Sequence, residues 1–132
     1  VAGGWHEGAA ANISTPYVLT GNEPVDLYSA TAATALTLEA APGRGPELAA
    51  LLTAAGPIVG ETEPGTLFWA ALQIDETSFA IFDIFTNNAG REAHFAGQVA
   101  GLLKERAAEL VAGGWDDGVV ANVHNFDILA IK

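Results

Sequence analysis

Residues 66–85 read TLFWAALQIDETSFAIFDIF, and the architecture of the domain can be predicted by starting from this stretch. Aromatic and branched apolar residues, which favour strands, fill the segments 66–74 and 78–85. The polar tripeptide at 75–77 has the length and composition of a hairpin connection. The stretch therefore predicts two neighbouring antiparallel strands.

The residues before this stretch predict a strand followed by a helix. Residues 33–40 (ATALTLEA) alternate imperfectly and favour a strand, and Pro46 suits the first turn of a helix. Apolar residues then recur at the helical spacing i, i+3, i+4 and i+7: Leu48, Leu51, Leu52 and Ala55. The pair Gly56-Pro57 is predicted to end this helix.

The residues after the stretch predict a second helix and a last strand. Asn87 or Asn88 is suited to cap the helix, and Gly113-Gly114 to end it. Its apolar stripe consists of Phe95, Val99, Leu102, Leu103 and Leu110. Residues 119–131 are predicted as the final strand.

The resulting order β-α-β-β-α-β predicts an α+β, ferredoxin-like fold with a four-stranded antiparallel sheet and both helices on one face. The strands carrying Phe68, Trp69, Phe82 and Ile84 are apolar on both faces. One helical layer covers only one face, and a large apolar patch favours association. We therefore expect a homodimer packed through the free sheet face, as in dimeric α/β-barrels.

The composition and charge of the chain exclude several classes of binding partner. The chain has 132 residues, a formal net charge of −11 and no cysteine. Such an acidic surface repels nucleic acid and anionic lipid headgroups, so neither is expected as a partner. No apolar run approaches the roughly 20 residues of a membrane span. Because no signal peptide is evident either, a cytoplasmic protein is expected.

A sequence repeat marks the beginning of the chain. Residues 1–12 read VAGGWHEGAAAN, and residues 111–122 read VAGGWDDGVVAN. Either a Gly-Trp turn is used twice, or residues 1–20 are the remnant of a preceding repeat. We accordingly divide the chain into an N-terminal arm and linker at 1–30, with the linker at 21–30, and a domain at 31–132.

One set of residues on the second helix is a candidate site. His94, Gly97 and Gly101 fall at i, i+3 and i+7, on one side of the helix, although glycine costs about 1 kcal/mol there relative to alanine. The row either packs closely against a neighbour or leaves room for a cavity beside His94. Trp69 and Phe85 are then candidate walls, each also suited to the core.

Asp83 lies in the middle of an apolar strand, so it must be paired, hydrogen-bonded or exposed to solvent. It is either an edge residue or a polar anchor for a ligand or for His94. The sequence has no phosphate-binding loop, no GxSxG and no paired zinc-ligand pattern, so no metal and no cofactor is expected.

The segment from Glu63-Pro64-Gly65-Thr66-Leu67 to Ala93-His94-Phe95 resembles the antibiotic biosynthesis monooxygenase family. The family pattern is an E-P-G-T-L turn, a strand with an acidic residue followed by an aromatic one, and an Ala-His pair on the second helix. Asp83 stands where Glu is more usual, and Phe85 where Trp is more usual. The resemblance covers residues 33–132.

This resemblance implies a dimer that oxidises a small aromatic or quinol-type substrate with O₂ and without a cofactor. His94 would be the base or an anchor for the substrate, and Asp83 would support it. The implied substrate contacts are Trp69, Phe85 and Phe95, with Asn87 as a further candidate. The alternative is a non-catalytic dimer of the same fold that binds a small molecule or serves as an accessory protein.

Overall fold

The computed structural model describes residues 17–20 and 23–132, which form six strands and four α-helices. The strands are β1 (Tyr17–Thr20), β2 (Glu23–Asp26), β3 (Ala32–Glu39), β4 (Thr66–Gln73), β5 (Ser78–Phe85) and β6 (His124–Asp127). The helices are α1 (Gly45–Thr62), α2 (Asn88–Phe95), α3 (Gln98–Leu110) and α4 (Gly114–Gly118). Two 3-10 turns lie at Leu27–Ser29 and Val120–Asn122.

The main sheet has four strands in the order β4-β5-β3-β6, and all three pairings are antiparallel. With α1 between β3 and β4, and α2 and α3 between β5 and β6, this is the ferredoxin-like topology. The predicted fold class is therefore confirmed.

The central hairpin follows the prediction closely. The predicted strand 78–85 coincides with β5, and β4 ends one residue before the predicted 74. Asp75 closes the connection, because its Oδ1 accepts hydrogen bonds from the amides of Thr77 at 3.0 Å and Ser78 at 2.8 Å. An Asx turn of this kind fixes a tight loop without further packing.

The first helix differs from its prediction at its end. Pro57 lies inside α1, which continues to Thr62. A proline inside a helix costs about 3 kcal/mol because a hydrogen bond is lost. The turn after Pro57 buries Val59, and burial of such a side chain contributes about 1.5–3 kcal/mol. The predicted stop at Gly56-Pro57 is therefore wrong because tertiary burial offsets the local cost.

The predicted second helix is divided into two. α2 ends at Phe95, and Gly97, with φ −85° and ψ −178°, is the extended N-cap residue of α3. Asn87 caps α2 as predicted, because its side chain accepts a hydrogen bond from the amide of Gly90 at 3.1 Å. His94 and Gly97 consequently do not share one continuous helix.

The C-terminal part contains less strand than predicted. Of residues 119–131, only His124–Asp127 form a strand, and α4 and the 3-10 turn Val120–Asn122 precede it. Val119 is buried, so its apolar character reflects packing against the core rather than a place in the sheet.

Within the predicted linker 21–30, residues 23–29 have regular structure. β2 pairs antiparallel with β1, and Leu27–Ser29 form a 3-10 turn that leads to β3. Residues 1–16, which contain the first copy of the repeat, lie outside the described residues.

Alternation in the strands separates the two faces of the sheet. On β5, Phe79, Ile81, Asp83 and Phe85 are buried beneath the helices. The intervening residues lie on the opposite face, where Phe82 remains 37% exposed. On neighbouring β4, Phe68 is 39% and Leu72 is 51% exposed. The helical layer therefore covers one face only.

Candidate active site

A cavity of about 440 Å³ lies between the helices and the sheet. The sheet contributes the side chains of Leu36, Trp69 and Ile81 to its wall. The helices and the segment after them contribute His94, Phe95, Val99, Ala100, Leu103, Trp115, Val119, Val120 and Val123. Asn125 on β6 completes the wall. The wall is mostly apolar with few polar groups, as is typical of sites for small organic ligands.

His94 is held at this cavity by two carboxylates. Its Nδ1 lies 2.5 Å from Oε1 of Glu63, and its Nε2 lies 3.2 Å from Oδ2 of Asp83. All three residues are buried: 5% of His94, 6% of Glu63 and none of Asp83 is exposed. The contact at Nε2 is not a hydrogen bond, and both Asp83 oxygens lack a hydrogen-bond donor within the described residues. A carboxylate oxygen can only accept, so Nδ1–H donates to Glu63, whereas Nε2 faces Asp83 without a hydrogen bond.

Local structure explains why these three side chains meet. Asp83 lies two residues after the buried Ile81 on β5, so its side chain points to the same face, toward the helices. His94 lies in the last turn of α2. Glu63 directly follows α1, and its Oε1 also accepts a hydrogen bond from the Thr66 hydroxyl at 2.9 Å. The turn between α1 and β4 thus fixes the orientation of the Glu63 carboxylate.

Two aromatic rings flank the imidazole of His94. The ring centroids of Phe85 and Phe95 each lie 5.5 Å from that of His94. Phe85 is fully buried behind the cavity wall, whereas Phe95 is partly exposed and lines the cavity. The rings restrict the position of the imidazole and exclude water from one side of it.

His94 and Asp83 both hold their protons more tightly than they would in water, because the pKa of each is raised. Burial acts to lower the pKa of His94, but the carboxylates of Asp83 and Glu63 outweigh it, so this pKa is raised. Burial also raises the pKa of Asp83; His94 opposes that rise, and the charge of Glu63 adds to it. The imidazolium form of His94 is therefore stabilised.

We expect the titration of His94 to have its midpoint above the ordinary histidine value of about 6.5. Glu63→Gln should lower this midpoint, because the variant keeps an oxygen acceptor for Nδ1–H but removes a negative charge. Ring-proton chemical shifts followed by NMR against pH measure both values. A midpoint below the ordinary value in the parent would contradict the assigned electrostatics.

The structure brings together most of the predicted site residues. His94, Trp69 and Phe95 line the cavity, Asp83 lies behind His94, and Phe85 packs on the imidazole from the core. Asn87, predicted as a substrate contact, lies outside the cavity wall, because its side-chain oxygen is used to cap α2.

The glycine row predicted beside His94 does not border the cavity. A Cβ at Gly97 would lie 2.8 Å from Oε2 of Glu63 and 3.1 Å from the His94 carbonyl oxygen, so the packing interpretation holds there. Gly101 is exposed and has no neighbour within 4 Å of a Cβ. The cavity exists, but these glycines do not create it.

We expect Gly97→Ala to destabilise the protein by about 1–3 kcal/mol, because Glu63 is held by His94 and Thr66 and cannot move aside freely. The matched control Gly101→Ala should stabilise it by about 0.5–1 kcal/mol, because alanine is the better helix former in open space. Urea unfolding measures both changes. Equal effects of the two variants would contradict the close packing at Gly97.

Among the polar and aromatic residues described at the site, Glu63, Trp115 and Asn125 were not predicted as site residues. Glu63 was noted only as part of a turn, and a carboxylate between an apolar helix and a strand was the available signal. Trp115 lies in the repeated Gly-Gly-Trp sequence, which marked it without indicating a role. Asn125 had no signal, because only the pairing of β6 with β3 brings it to the cavity.

The described residues contain no group of three or more His, Asp or Glu side chains arranged to hold a metal ion. Within the same part of the chain, every helix is too short or too polar to cross a membrane.

Comparison with solved structures identifies the fold independently. A proposed antibiotic biosynthesis monooxygenase from Chloroflexus aurantiacus superimposes with a TM-score of 0.59 at 15% identity, covering 77% of this chain and 96% of that chain. Another, from Bacteroides thetaiotaomicron, gives 0.58 at 19% identity, with 78% and 90% covered. The chain thus has the fold of the antibiotic biosynthesis monooxygenases, and the resemblance drawn from its sequence motifs is confirmed at that level.

A closer relationship links the chain to a protein of unknown function from Nitrosomonas europaea. The two are 35% identical, the alignment covers 80% of this chain and 95% of that chain, and the TM-score is 0.70. This chain belongs to the same family as the Nitrosomonas protein. No family model matches the chain, and a search of curated proteins found no match.

Proposed function

We propose that the protein is a cofactor-independent monooxygenase that oxidises a small aromatic or quinol-type substrate with O₂. The observation that carries the proposal is the apolar cavity with His94 on its wall, held between two buried carboxylates. A volume of about 440 Å³ suits a molecule of two or three fused rings.

In this mechanism, Nε2 of His94 removes a proton from a phenolic hydroxyl or an acidic ring CH group. Glu63 orients the imidazole through Nδ1–H, and both carboxylates stabilise the imidazolium that forms. Asp83 is a positioning residue, because it lies behind His94 and does not line the cavity.

The electron-rich substrate anion then supplies the electrons. It passes one electron to O₂, and the resulting radical pair joins to give a carbon-bound peroxide. Where the reacting carbon carried two hydrogens, loss of water leaves a carbonyl: one oxygen atom remains on carbon, and the other departs as water with those hydrogens. Trp69, Phe95 and Trp115 surround the ring and exclude solvent water.

We further propose that the protein works as a homodimer through the free sheet face, on which Phe68, Leu72 and Phe82 are exposed. Packing two such faces together would remove these side chains from water. The cavity lies on the opposite face of the sheet, so the dimer leaves the proposed chemistry within each protomer.

The test is O₂ uptake with hydroquinone- and anthrone-type substrates. Ala100 lines the cavity on α3, so Ala100→Trp should fill it and reduce kcat/KM at least tenfold. The matched control is Ala108→Trp, at an exposed position of the same helix, which should leave kcat/KM within about twofold. Ligand binding by the parent without O₂ uptake on any substrate would overturn the proposal in favour of the non-catalytic binding protein.

A further inference from the structure

Besides His94, the cavity wall has one other polar side chain that is not an indole. This is Asn125 on β6, at an exposed position across the wall from the helices. In a wall that is otherwise apolar, each polar group strongly restricts how a ligand can lie.

The amide of Asn125 is held in one orientation. Thr34, its direct partner on β3, is completely buried, and its hydroxyl donates a hydrogen bond of 2.8 Å to Oδ1 of Asn125. This bond uses the acceptor side of the amide. The Nδ2 group makes no hydrogen bond within the described residues, so two N–H donors remain for a ligand.

We propose that Asn125, oriented by Thr34, is a specificity-determining residue that donates a hydrogen bond to a second oxygen atom of the substrate. The inference deepens the proposed function and rests on it for the place of the ligand in the cavity. His94 receives the ionisable proton of the ligand, whereas Asn125 selects for a carbonyl or hydroxyl oxygen elsewhere on the ring system. The preferred ligand is thus an aromatic compound with two oxygen substituents.

Hydrogen-bond energetics give the direction of selection. A ligand without the second oxygen would displace water from Nδ2 and put nothing in its place, which weakens binding. Because Asn125 is partly open to solvent, we expect a difference of about three- to tenfold in Kd rather than the much larger factors of fully buried sites.

The test compares two stable probes of equal ring size by titration calorimetry. One is 2-hydroxy-1,4-naphthoquinone, which has carbonyl acceptors in addition to its hydroxyl, and the other is 2-naphthol, which has the hydroxyl alone. Asn125→Ala should weaken binding of the quinone three- to tenfold and change that of 2-naphthol by less than twofold. Thr34→Val, which keeps the buried shape but frees the amide, should act in the same direction with a smaller effect.

The control is Asn88→Ala, because Asn88 is exposed and lies outside the cavity wall. It should leave both Kd values unchanged. Equal weakening of both probes by Asn125→Ala, no change in either, or failure of the parent to bind the quinone would overturn the inference. The measurement of Kd needs no turnover. A parent that is inactive but still distinguishes the two probes through Asn125 would therefore contradict the proposed reaction and support this inference.

Discussion

His94→Gln should lower the rate of O₂ uptake by about 10²- to 10⁴-fold, because a glutamine side chain cannot accept the substrate proton. Glutamine has a similar volume and can still donate a hydrogen bond toward Glu63, so the buried site keeps much of its packing. His94→Ala should lose as much activity, but it also leaves a cavity beside Phe85 and Phe95. Initial rates at saturating substrate, with circular dichroism to check folding, measure the effect.

A milder variant separates the base from the residue that orients it. Glu63→Gln should retain measurable turnover, and the rising limb of its pH–rate profile should move to lower pH, because the variant lowers the pKa of His94. A merely structural role for Glu63 would lower the rate without moving the profile. Unchanged turnover in His94→Gln would remove His94 from the mechanism.

Phe82→Glu should convert a dimer into a monomer at micromolar concentration, because it places a charge in the centre of the exposed apolar sheet face. Phe82 lies opposite Ala70 on β4 and Ala35 on β3, and its ring centroid is 6.3 Å from that of Phe68. A carboxylate at this point would lose its water of hydration when the two sheet faces pack together, which opposes association. Sedimentation velocity over a range of concentrations measures the change in mass.

A control variant and a salt dependence complete the test of the proposed dimer. Thr53→Glu, at an exposed position on α1, should leave the dimer intact. Because each chain carries a net charge of −11, added salt should strengthen association of the parent by screening repulsion. A parent that sediments as a monomer at every concentration would contradict the proposed dimer.

The central hairpin could be predicted because its signals are local. Aromatic and branched residues in SFAIFDIF predicted the strand that carries Asp83, and the polar tripeptide predicted the turn before it. The predicted end of α1 was wrong because Pro57 acts locally to end a helix, whereas the burial of Val59, which extends the helix, depends on the tertiary fold. The predicted strand 119–131 was too long for the same reason. Val119 is a strand-favouring residue, but it is buried in the core beside a 3-10 turn.

In the candidate site, too, single residues could be predicted from the sequence, whereas contacts between distant residues could not. His94 and Asp83 could be selected individually, because a polar residue in an apolar element needs an explanation. The contact of His94 with Glu63 could not be predicted, since it joins residues 31 positions apart. The break at Gly97 was hidden because Phe95 and Val99 keep helical spacing across it, although a close approach to Glu63 requires glycine there.

The raised pKa values at His94 and Asp83 also affect how the protein tolerates its solution conditions. Both groups bind protons more tightly in the folded state than in the unfolded chain, so stabilisation from each is present below its ordinary pKa and declines as pH rises through the folded-state value. For His94 this decline begins only above about pH 6.5. Mildly acidic storage buffers should therefore protect the purified protein against heat better than alkaline ones.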